Sequence, residues 1–363
     1  MAARDRAASW DSALFRRMGS AGLLGAPLPP EHGGGATLLA HDLEGFGAGS
    51  GDAGLALAWL SHTLLCALPI GRLGTAEQKQ RYLPSLASGD RVGCLAHHES
   101  QAGDGADLLT RARRHGDRWV IEGAKSRVIG GAAGDLFLVT AVTEAAPRPG
   151  GISVFLVERG TPGLTVGPPG DPLGMRTAAI SSLVLDGCEV PVTSLLAAEG
   201  RGLVDVVRPA QRWERGLLLA PWLGLLRALV DRSVAAARDP GALGRPRAEL
   251  QTVRLRLADM MIGLALCERM VRRAAWRLDH DALSTSTDEE VGLAKVFAAE
   301  WAERISREAL KLQASGLAAD PLVERAYRDA GFLSALGGNN DVVRAMVARS
   351  LLRRAGRAPE DVP

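Results

Sequence analysis

The chain has 363 residues, of which 47% are hydrophobic and 23% are charged, so it is long enough to form two or three packed domains. The formal net charge is +2, so the overall charge implies no strong electrostatic attraction to nucleic acid or to a membrane surface. Four widely spaced cysteines form no CxxC pair, which indicates free thiols in a reducing compartment.

Residues 1–91 carry a helical pattern and form the first predicted domain. Trp10, Leu14 and Met18 recur at the spacing of one helix face. Two further helices are predicted over 39–65, and Thr75 is expected to cap a short helix over 76–86. The first thirty residues lack the basic and then apolar regions of a signal peptide, so we expect a cytoplasmic protein.

From residue 92 the pattern changes to short runs of β-branched residues separated by Gly, Asp and Pro. Five of these runs are typical of strands, namely 119–123, 136–142, 152–157, 164–166 and 182–185. Strands at such close intervals predict a β-barrel or sandwich, which we place at residues 92–198.

Helical periodicity returns after Pro191, and residues 199–363 form the third predicted domain. The long amphipathic stretches are 204–237, 246–278, 289–315 and 341–355, and loops are predicted at 239–241 and 284–288. A four-helix bundle is the simplest interpretation. The longest apolar run, 216–226, is interrupted by Pro221 and is too short to cross a bilayer. The predicted fold class is therefore α+β multidomain, in the order helices, β domain, helices.

Five sequence segments, taken in order, resemble the successive signatures of the acyl-CoA dehydrogenase family. They are CLAHHESQAGDGADLLTRA (94–112), GAKSRVIGG (123–131), LGMRTAAISSLVLDGCEVP (173–191), RWERGLLLA (212–220) and VERAYRDAGFLSALGGNND (323–341). The resemblance covers residues 10–355 and implies that family's fold, with a helical domain, a middle β-barrel and a C-terminal four-helix bundle. It also implies FAD bound between two subunits, a carboxylate that takes a proton from the α-carbon of an acyl thioester, and a flavin that takes a hydride from the β-carbon.

The position of the catalytic base departs from the family's usual pattern. Arg328-Asp329 fix the register, and the usual carboxylate position then falls on Gly337, which cannot accept a proton. Some family members instead carry the base on the first bundle helix, just before an arginine. By that resemblance Glu214 is the expected base, with Arg215 beside it as a second catalytic residue. The alternative is that Glu214 is an ordinary carboxylate paired with a neighbouring arginine.

The positions where the family holds the flavin ring carry other residue types in this chain. His98 replaces a Thr, and the run His97-His98-Glu99 stands where the family holds the ring edge. Arg127 replaces a stacking Trp, and Ile129 replaces a Thr. A guanidinium group can still stack on a π face, whereas Ile129 offers only its backbone. The resemblance thus implies that His97, His98, Arg127 and Ile129 bind the cofactor.

The contacts to the cofactor's diphosphate and to the substrate are altered as well. Arg238 lies two residues from the place of a diphosphate-binding Arg, and Gln313 opens a loop that keeps only one of the family's glycines. Asp104 stands where a family Ser contacts the pantetheine of the substrate, and Trp213 and Arg215 flank Glu214, so we expect these three residues to bind substrate. Together with the changed ring positions, these differences predict a degraded flavin site.

Three functions remain open at this point. In the first, the protein is an enzyme of a biosynthetic pathway that acts on an acyl thioester carried by CoA or by a carrier protein. Its chemistry would be flavin-independent proton transfer (dehydration, isomerisation or cyclisation), with His98 as acid or base beside Glu214. In the second, it is an FAD-dependent α,β-dehydrogenase with Glu214 as base. In the third, it is a non-catalytic subunit of a mixed oligomer with an intact paralogue.

The expected partners follow from the same resemblance. A homodimer or homotetramer is expected through the C-terminal bundle, and no nucleic acid or membrane partner is expected. Because adjacent residues of a strand point to opposite faces, His97 and His98 are poorly placed to share a metal ion, and no metal site is predicted.

Overall fold

The computed structural model describes residues 1–25, 35–100, 108–143, 151–240, 244–313 and 320–354. A helical N-terminal part is followed by a β-sheet and then by a second helical part. The predicted fold class is confirmed. The residue boundaries given above for the three domains stay predictions.

The described N-terminal residues form short helices whose ends follow from local capping. Asp52 accepts a hydrogen bond from Leu55 N (3.0 Å) at the start of α4, and Thr75 and Gln78 form a capping box at the start of α6. The helices are α1 (Ala2–Arg6), α2 (Ser12–Ser20), α3 (Ala36–Ser50), α4 (Ala53–Leu60), α5 (Leu68–Leu73) and α6 (Ala76–Ala87).

A π-helical segment, Ser61–Ala67, joins α4 to α5, and all of its side chains are buried. Such wide turns are rare and are often found at functional sites. The continuous run Ala53–Leu73 is long and apolar enough to span a membrane by length and composition, but its apolar window is wholly buried inside the protein. That is the environment of a core helix.

The described strands of the middle part form an eight-stranded sheet. Its order is β6-β7-β3-β2-β4-β5-β8, and β1 pairs in parallel with β4. The strands are β1 (Gly93–Ala96), β2 (Arg111–His115), β3 (Arg118–Val128), β4 (Leu136–Val142), β5 (Ile152–Glu158), β6 (Leu164–Val166), β7 (Ser181–Pro191) and β8 (Leu195–Leu196). All five predicted runs lie in strands, whereas β1, β2 and β8 were not predicted. The β1–β4 pairing places His97 beside Thr140, one residue beyond the paired positions.

The C-terminal helices are α7 (Arg208–Leu217), α8 (Ala220–Arg238), α9 (Gln251–His280), α10 (Thr285–Gln313), α11 (Pro321–Ala330) and α12 (Asn340–Arg354). The predicted helix 204–237 is divided by a break at 218–219, after which Pro221 occupies the first turn of α8, where a helix tolerates proline. The loop predicted at 284–288 is wrong, because Ser284 accepts a hydrogen bond from Thr287 N (3.1 Å) and α10 begins at Thr285. Helix α11 was not predicted.

The segment Met175–Ala179 joins the three parts of the molecule. Its two end residues adopt left-handed φ angles of 55° and 50°, which are uncommon for residues other than glycine. Met175 N donates to Asp329 Oδ1 of α11 (2.6 Å), Thr177 Oγ1 donates to Asp52 Oδ1 of α4 (2.5 Å), and Gly130 N donates to Ala178 O (2.9 Å). All three parts therefore hold this strained backbone in place.

Candidate functional site

Glu214 is a buried carboxylate on α7, only 7% exposed. Burial raises the pKa of Glu214 to about 7, and the positive charges of Arg215 and Lys295 oppose that rise. No hydrogen bond to this carboxylate is found among the described residues. A carboxyl group with a pKa near neutrality is suited to accept a proton during catalysis.

The turn at Gly337–Gly338, where the family resemblance places the usual carboxylate, lies against the helix that carries Glu214. A Cβ on Gly337 would lie 3.2 Å from Leu218 Cδ2 and 3.4 Å from Arg215 Cγ. Leu218 is one helical turn beyond Glu214, on the same side of the helix. Gly337 and Gly338 have φ angles of +63° and +95°, which favour glycine. Glu214 and Gly337, the two alternative positions for a base, therefore lie in one region of the molecule. We call this region, formed by α7 around Glu214 and by the Gly337–Gly338 turn, the Glu214 corner.

Lys295 of α10 lies at the same corner and is 1% exposed. Its Nζ donates to Ser334 O (3.2 Å), Gly338 O (2.6 Å) and Asn340 Oδ1 (2.7 Å). Burial lowers the pKa of Lys295 to about 8, while the negative charge of Glu214 opposes this. The sequence reasoning missed this residue. The available signal was its rarity, since lysine occurs only at positions 79, 125, 295 and 311 of the chain.

The two neighbours of Glu214 in the sequence have different surroundings. Trp213 is 5% exposed, and the guanidinium carbon of Arg72 lies 4.8 Å from the centre of its ring, a cation–π contact between α5 and α7. Arg215 is half-buried beside the Gly337 turn, and burial lowers the pKa of its guanidinium. The predicted substrate contacts of both residues stay predictions.

A second group of polar residues lies where β1 ends, around a buried ion pair. Lys125 Nζ donates to Glu99 Oε1 (2.6 Å) and to Thr140 Oγ1 (3.2 Å). Glu99 also accepts hydrogen bonds from Leu109 N and from the backbone and hydroxyl groups of Thr110. Although burial opposes it, hydrogen bonds from Lys125 and Thr110 lower the pKa of Glu99. The pair fixes the segment that leads from β1 to His98.

The two adjacent histidines have opposite environments. His97 is buried, and its Nδ1 lies 3.1 Å from Thr140 Oγ1. Burial and the charge of Lys125 lower the pKa of His97 to about 4, so its ring is neutral near pH 7. His98 is exposed. Of the two, His98 is therefore the accessible acid–base candidate. Within the described ranges, no three His, Cys, Asp or Glu side chains are grouped as a metal site would require.

Arg127 and Ile129 lie at the end of β3, next to His98. Ser126 N donates to His98 O (2.8 Å), which ties this end of β3 to the residues after β1. A β-bulge between Lys125 and Val128 places Arg127 at a φ of 53° with its side chain exposed, whereas Ile129 is half-buried against the core. Left-handed residues other than glycine are strained, and such strain is concentrated at functional sites.

Arg238 and Gln313 each stand at the end of a C-terminal helix. Arg238 is the exposed last residue of α8, and Gln313 is the half-buried last residue of α10. Because α8 is 19 residues long, about 28 Å of helix separates Arg238 from the α7 end of the bundle. Asp104, the predicted pantetheine contact, lies outside the described residues.

The residue types present are compatible with a flavin dinucleotide. At the sheet, the planar guanidinium of Arg127 can stack on a ring and the exposed His98 can form a hydrogen bond. The buried Ser126 hydroxyl beside them has no hydrogen-bond partner among the described residues, which a bound polar group would supply. Arg238 is a cation suited to a diphosphate, but it stands at the far end of the same chain's bundle.

Models of three protein domains match consecutive parts of the chain. The acyl-CoA dehydrogenase N-terminal domain matches residues 1–90, the middle domain residues 94–188 and the C-terminal domain residues 200–352. The chain belongs to the acyl-CoA dehydrogenase family. The family predicted from the five sequence segments is confirmed.

Individual relatives resemble this acyl-CoA dehydrogenase family member over nearly its whole length. A probable acyl-CoA dehydrogenase of Bacillus subtilis (strain 168), YngJ, is 33% identical over 96% of this chain and 92% of its own. The crystal structure of the prolyl acyl carrier protein oxidase AnaB has a TM-score of 0.89 and 30% identity, covering 96% of this chain and 93% of that one. A structure of PigA with FAD and proline has a TM-score of 0.90 and 26% identity, covering 97% and 92%.

Proposed function

We propose that this protein is an FAD-dependent dehydrogenase of an acyl thioester, with Glu214 as the base that takes the α-proton. One observation carries the proposal: Glu214 is buried without a hydrogen-bond partner among the described residues, at the corner where the resemblance also places the usual carboxylate. A structural carboxylate would be expected to be paired when buried. Near neutral pH its raised pKa leaves both the proton-accepting and the protonated form accessible.

The cofactor residues are proposed by the same reasoning. His98, Arg127 and Ile129 would hold the ring, His97 would support them from the buried side, and Arg238 and Gln313 would bind the far end of the cofactor. When bound, FAD supplies the acceptor for the hydride that leaves the β-carbon. Glu214 takes the proton from the α-carbon, and the two C–H bonds that break leave one new carbon–carbon double bond.

The proposed substrate class follows from the relatives. AnaB is described as a prolyl acyl carrier protein oxidase, and YngJ as a probable acyl-CoA dehydrogenase. We therefore infer an acyl or aminoacyl thioester, carried by CoA or by a carrier protein in a cytoplasmic biosynthetic pathway. Asp104, Trp213 and Arg215 are the proposed contacts to this substrate.

We also propose that the protein forms a homodimer or homotetramer. Two considerations support this. Helix α9 exposes Leu255, Ile262 and Leu266 at helical spacing, and the family resemblance implies FAD bound between two subunits. An intact paralogue as the second subunit is the alternative partner.

A second candidate function is proton chemistry on the thioester without a flavin. It is favoured by the residue types at the ring position, where Arg127 and Ile129 replace the aromatic and hydroxyl residues of the family resemblance. In that case the exposed His98 and Glu214 would be the acid and base for dehydration, isomerisation or cyclisation. The changed ring contacts also favour weaker flavin binding than in the relatives.

The experiment that tests the proposal combines a spectrum with an exchange assay. The visible absorption of the purified protein is recorded before and after incubation with FAD and desalting. Incorporation of deuterium at the α-carbon is then followed in heavy water for a panel of thioesters on CoA and on a carrier protein. We expect retained flavin, α-exchange in the wild-type protein, and loss of exchange in Glu214→Gln with the flavin retained.

The outcomes separate the candidates. The matched control is Glu303→Gln, because Glu303 is an exposed carboxylate on α10, two helical turns beyond Lys295. Exchange without retained flavin would favour the flavin-free enzyme. Undiminished exchange in Glu214→Gln would refute Glu214 as the base, and no exchange or turnover with any thioester would favour the non-catalytic subunit.

A further inference from the structure

Lysine is rare in this chain, and half of its lysines are buried. Lysine occurs at positions 79, 125, 295 and 311, although Lys and Arg together number 43. Lys125 and Lys295 are each 1% exposed. Burial of an ammonium group is costly unless it is hydrogen-bonded and paired. Among the lysines and arginines that the structure describes, these two lysines are the least exposed, although arginine occupies most basic positions of the chain.

The hydrogen bonds of Lys295 explain why arginine is absent at that position. Its ammonium group meets three acceptors, two of them backbone carbonyls at Ser334 and Gly338 and the third the side chain of Asn340. An ammonium group has three donors that rotate freely about one nitrogen, whereas a guanidinium presents its donors in a flat fork. The three acceptors bracket the Gly337–Gly338 turn, so Lys295 fixes this turn from the interior.

Lys295 also contributes positive charge to the Glu214 corner. Lys295 and Arg215 are the two cations whose charges act on the Glu214 carboxyl group. His62 of the π-helical segment is neutral near pH 7, since burial lowers its pKa to about 4. Several of the other charged groups on α7 and on elements near it are ion-paired, namely Arg212 with Asp288, Arg344 with Glu300, Arg277 with Asp281 and Glu290, Arg201 with Asp205, and Arg272 with Glu44. The buried Glu289 of α10 accepts a hydrogen bond from Ser350.

We propose that Lys295 is a positioning residue for Glu214: it holds the Gly337–Gly338 turn against α7 and keeps a positive charge beside the Glu214 carboxylate. This inference rests on the proposed role of Glu214 as base. The positive charge of Lys295 favours the ionised form of Glu214. The hydrogen bonds of Lys295 hold the Gly337–Gly338 turn in place beside α7. Lys295 itself forms no bond with the substrate and exchanges no proton with it.

The test measures the titration of Glu214 directly, without a substrate. Infrared spectra of the wild-type protein across a pH series, minus those of Glu214→Gln, isolate the carboxyl band of Glu214. The same difference is recorded for Lys295→Met, which removes both the charge and the hydrogen bonds. We expect the pKa of Glu214 to rise by roughly 0.5 to 1.5 units in this variant, because a nearby opposite charge has been removed.

Two further variants separate charge from geometry. Lys295→Gln removes the charge but keeps an amide that can donate to the surrounding oxygens, so the pKa of Glu214 should rise here too. Lys295→Arg keeps the positive charge, so the pKa of Glu214 should stay near that of the wild type. A guanidinium cannot match the three acceptors of the ammonium group, so the urea midpoint of unfolding should fall. Lys295→Gln keeps the test decisive if Lys295→Met does not fold.

The inference is overturned if Lys295→Met and Lys295→Gln leave the titration of Glu214 unchanged, since Lys295 would then have only a structural role. The proposed function has a separate test. If Glu214→Gln keeps full α-proton exchange, the base assignment fails whatever the titrations show. If Glu214→Gln loses exchange while the titrations do not move, only the role of Lys295 fails.

Discussion

Replacing Glu214 with Gln is expected to stabilise the protein at mildly alkaline pH and to change little at acidic pH. Burial raises the pKa of Glu214 from 4.5 to about 7, so the folded protein penalises the ionised form. The stability linked to this raised pKa is fully present below the unfolded value of 4.5 and is lost as the pH rises through about 7. At about 1.4 kcal/mol per pKa unit, the free energy of unfolding of the wild-type protein falls by up to about 3 kcal/mol relative to that of the variant over this pH range.

Urea unfolding followed by tryptophan fluorescence measures this difference, because the buried Trp213 lies directly beside Glu214. Midpoints are compared at about pH 5 and about pH 8, with Glu303→Gln as the exposed control on α10. The expected result is a pH-dependent gap between the wild type and Glu214→Gln that the control lacks. Equal midpoint differences at the two pH values, or a less stable Glu214→Gln protein at about pH 8, would refute the reasoning.

Two further predictions concern packing and buried charge. Glu99→Gln is expected to cost about 3–5 kcal/mol, because it leaves the Lys125 ammonium buried without a counter-charge. Lys125→Met should lower the free energy of unfolding by less, because Glu99 keeps its hydrogen bonds from Leu109 N and from the Thr110 hydroxyl. Equal losses in the two variants, measured by urea unfolding, would contradict this. A Cβ on Gly224 of α8 would lie 2.1 Å from Glu44 O of α3, so Gly224→Ala should lower the free energy of unfolding by about 1–3 kcal/mol. Gly45→Ala, which faces open space on α3, should raise it by up to about 1 kcal/mol, and a shift of both variants in the same direction would contradict the packing argument.

The sequence predicts regular elements well where side-chain pattern and burial agree. The strand predicted at 136–142 is found over the same residues, because nearly every side chain in it is buried. Strand β2 was missed because its sequence is RARRH, and only Ala112 of the five residues is buried. The break at 218–219 was missed because it falls within a continuous apolar stretch whose pattern remains helical on both sides.

The same difference applies to the candidate site. Residues that belong to a local sequence motif could be predicted, whereas residues defined by contacts distant in sequence could not. Motif order was enough to propose Glu214, because its position relative to the following arginine is local in the sequence. Lys295 was missed because its three acceptors lie 39 to 45 residues further along the chain. The opposite environments of His97 and His98 likewise depend on Thr140 and Lys125, which no local pattern brings next to them.

The bonded segment Met175–Ala179 limits how this protein could be recombined with its relatives. A chimera that exchanged only the C-terminal helices would replace Asp329 and leave the Met175 amide without its acceptor unless the donor sequence supplied one. An exchange of the N-terminal helices would likewise have to bring an acceptor for the Thr177 hydroxyl at the position of Asp52. A chimera should therefore fold only when it preserves these hydrogen-bonded pairs across all three parts. The three parts cannot be exchanged independently, although each has its own secondary structure.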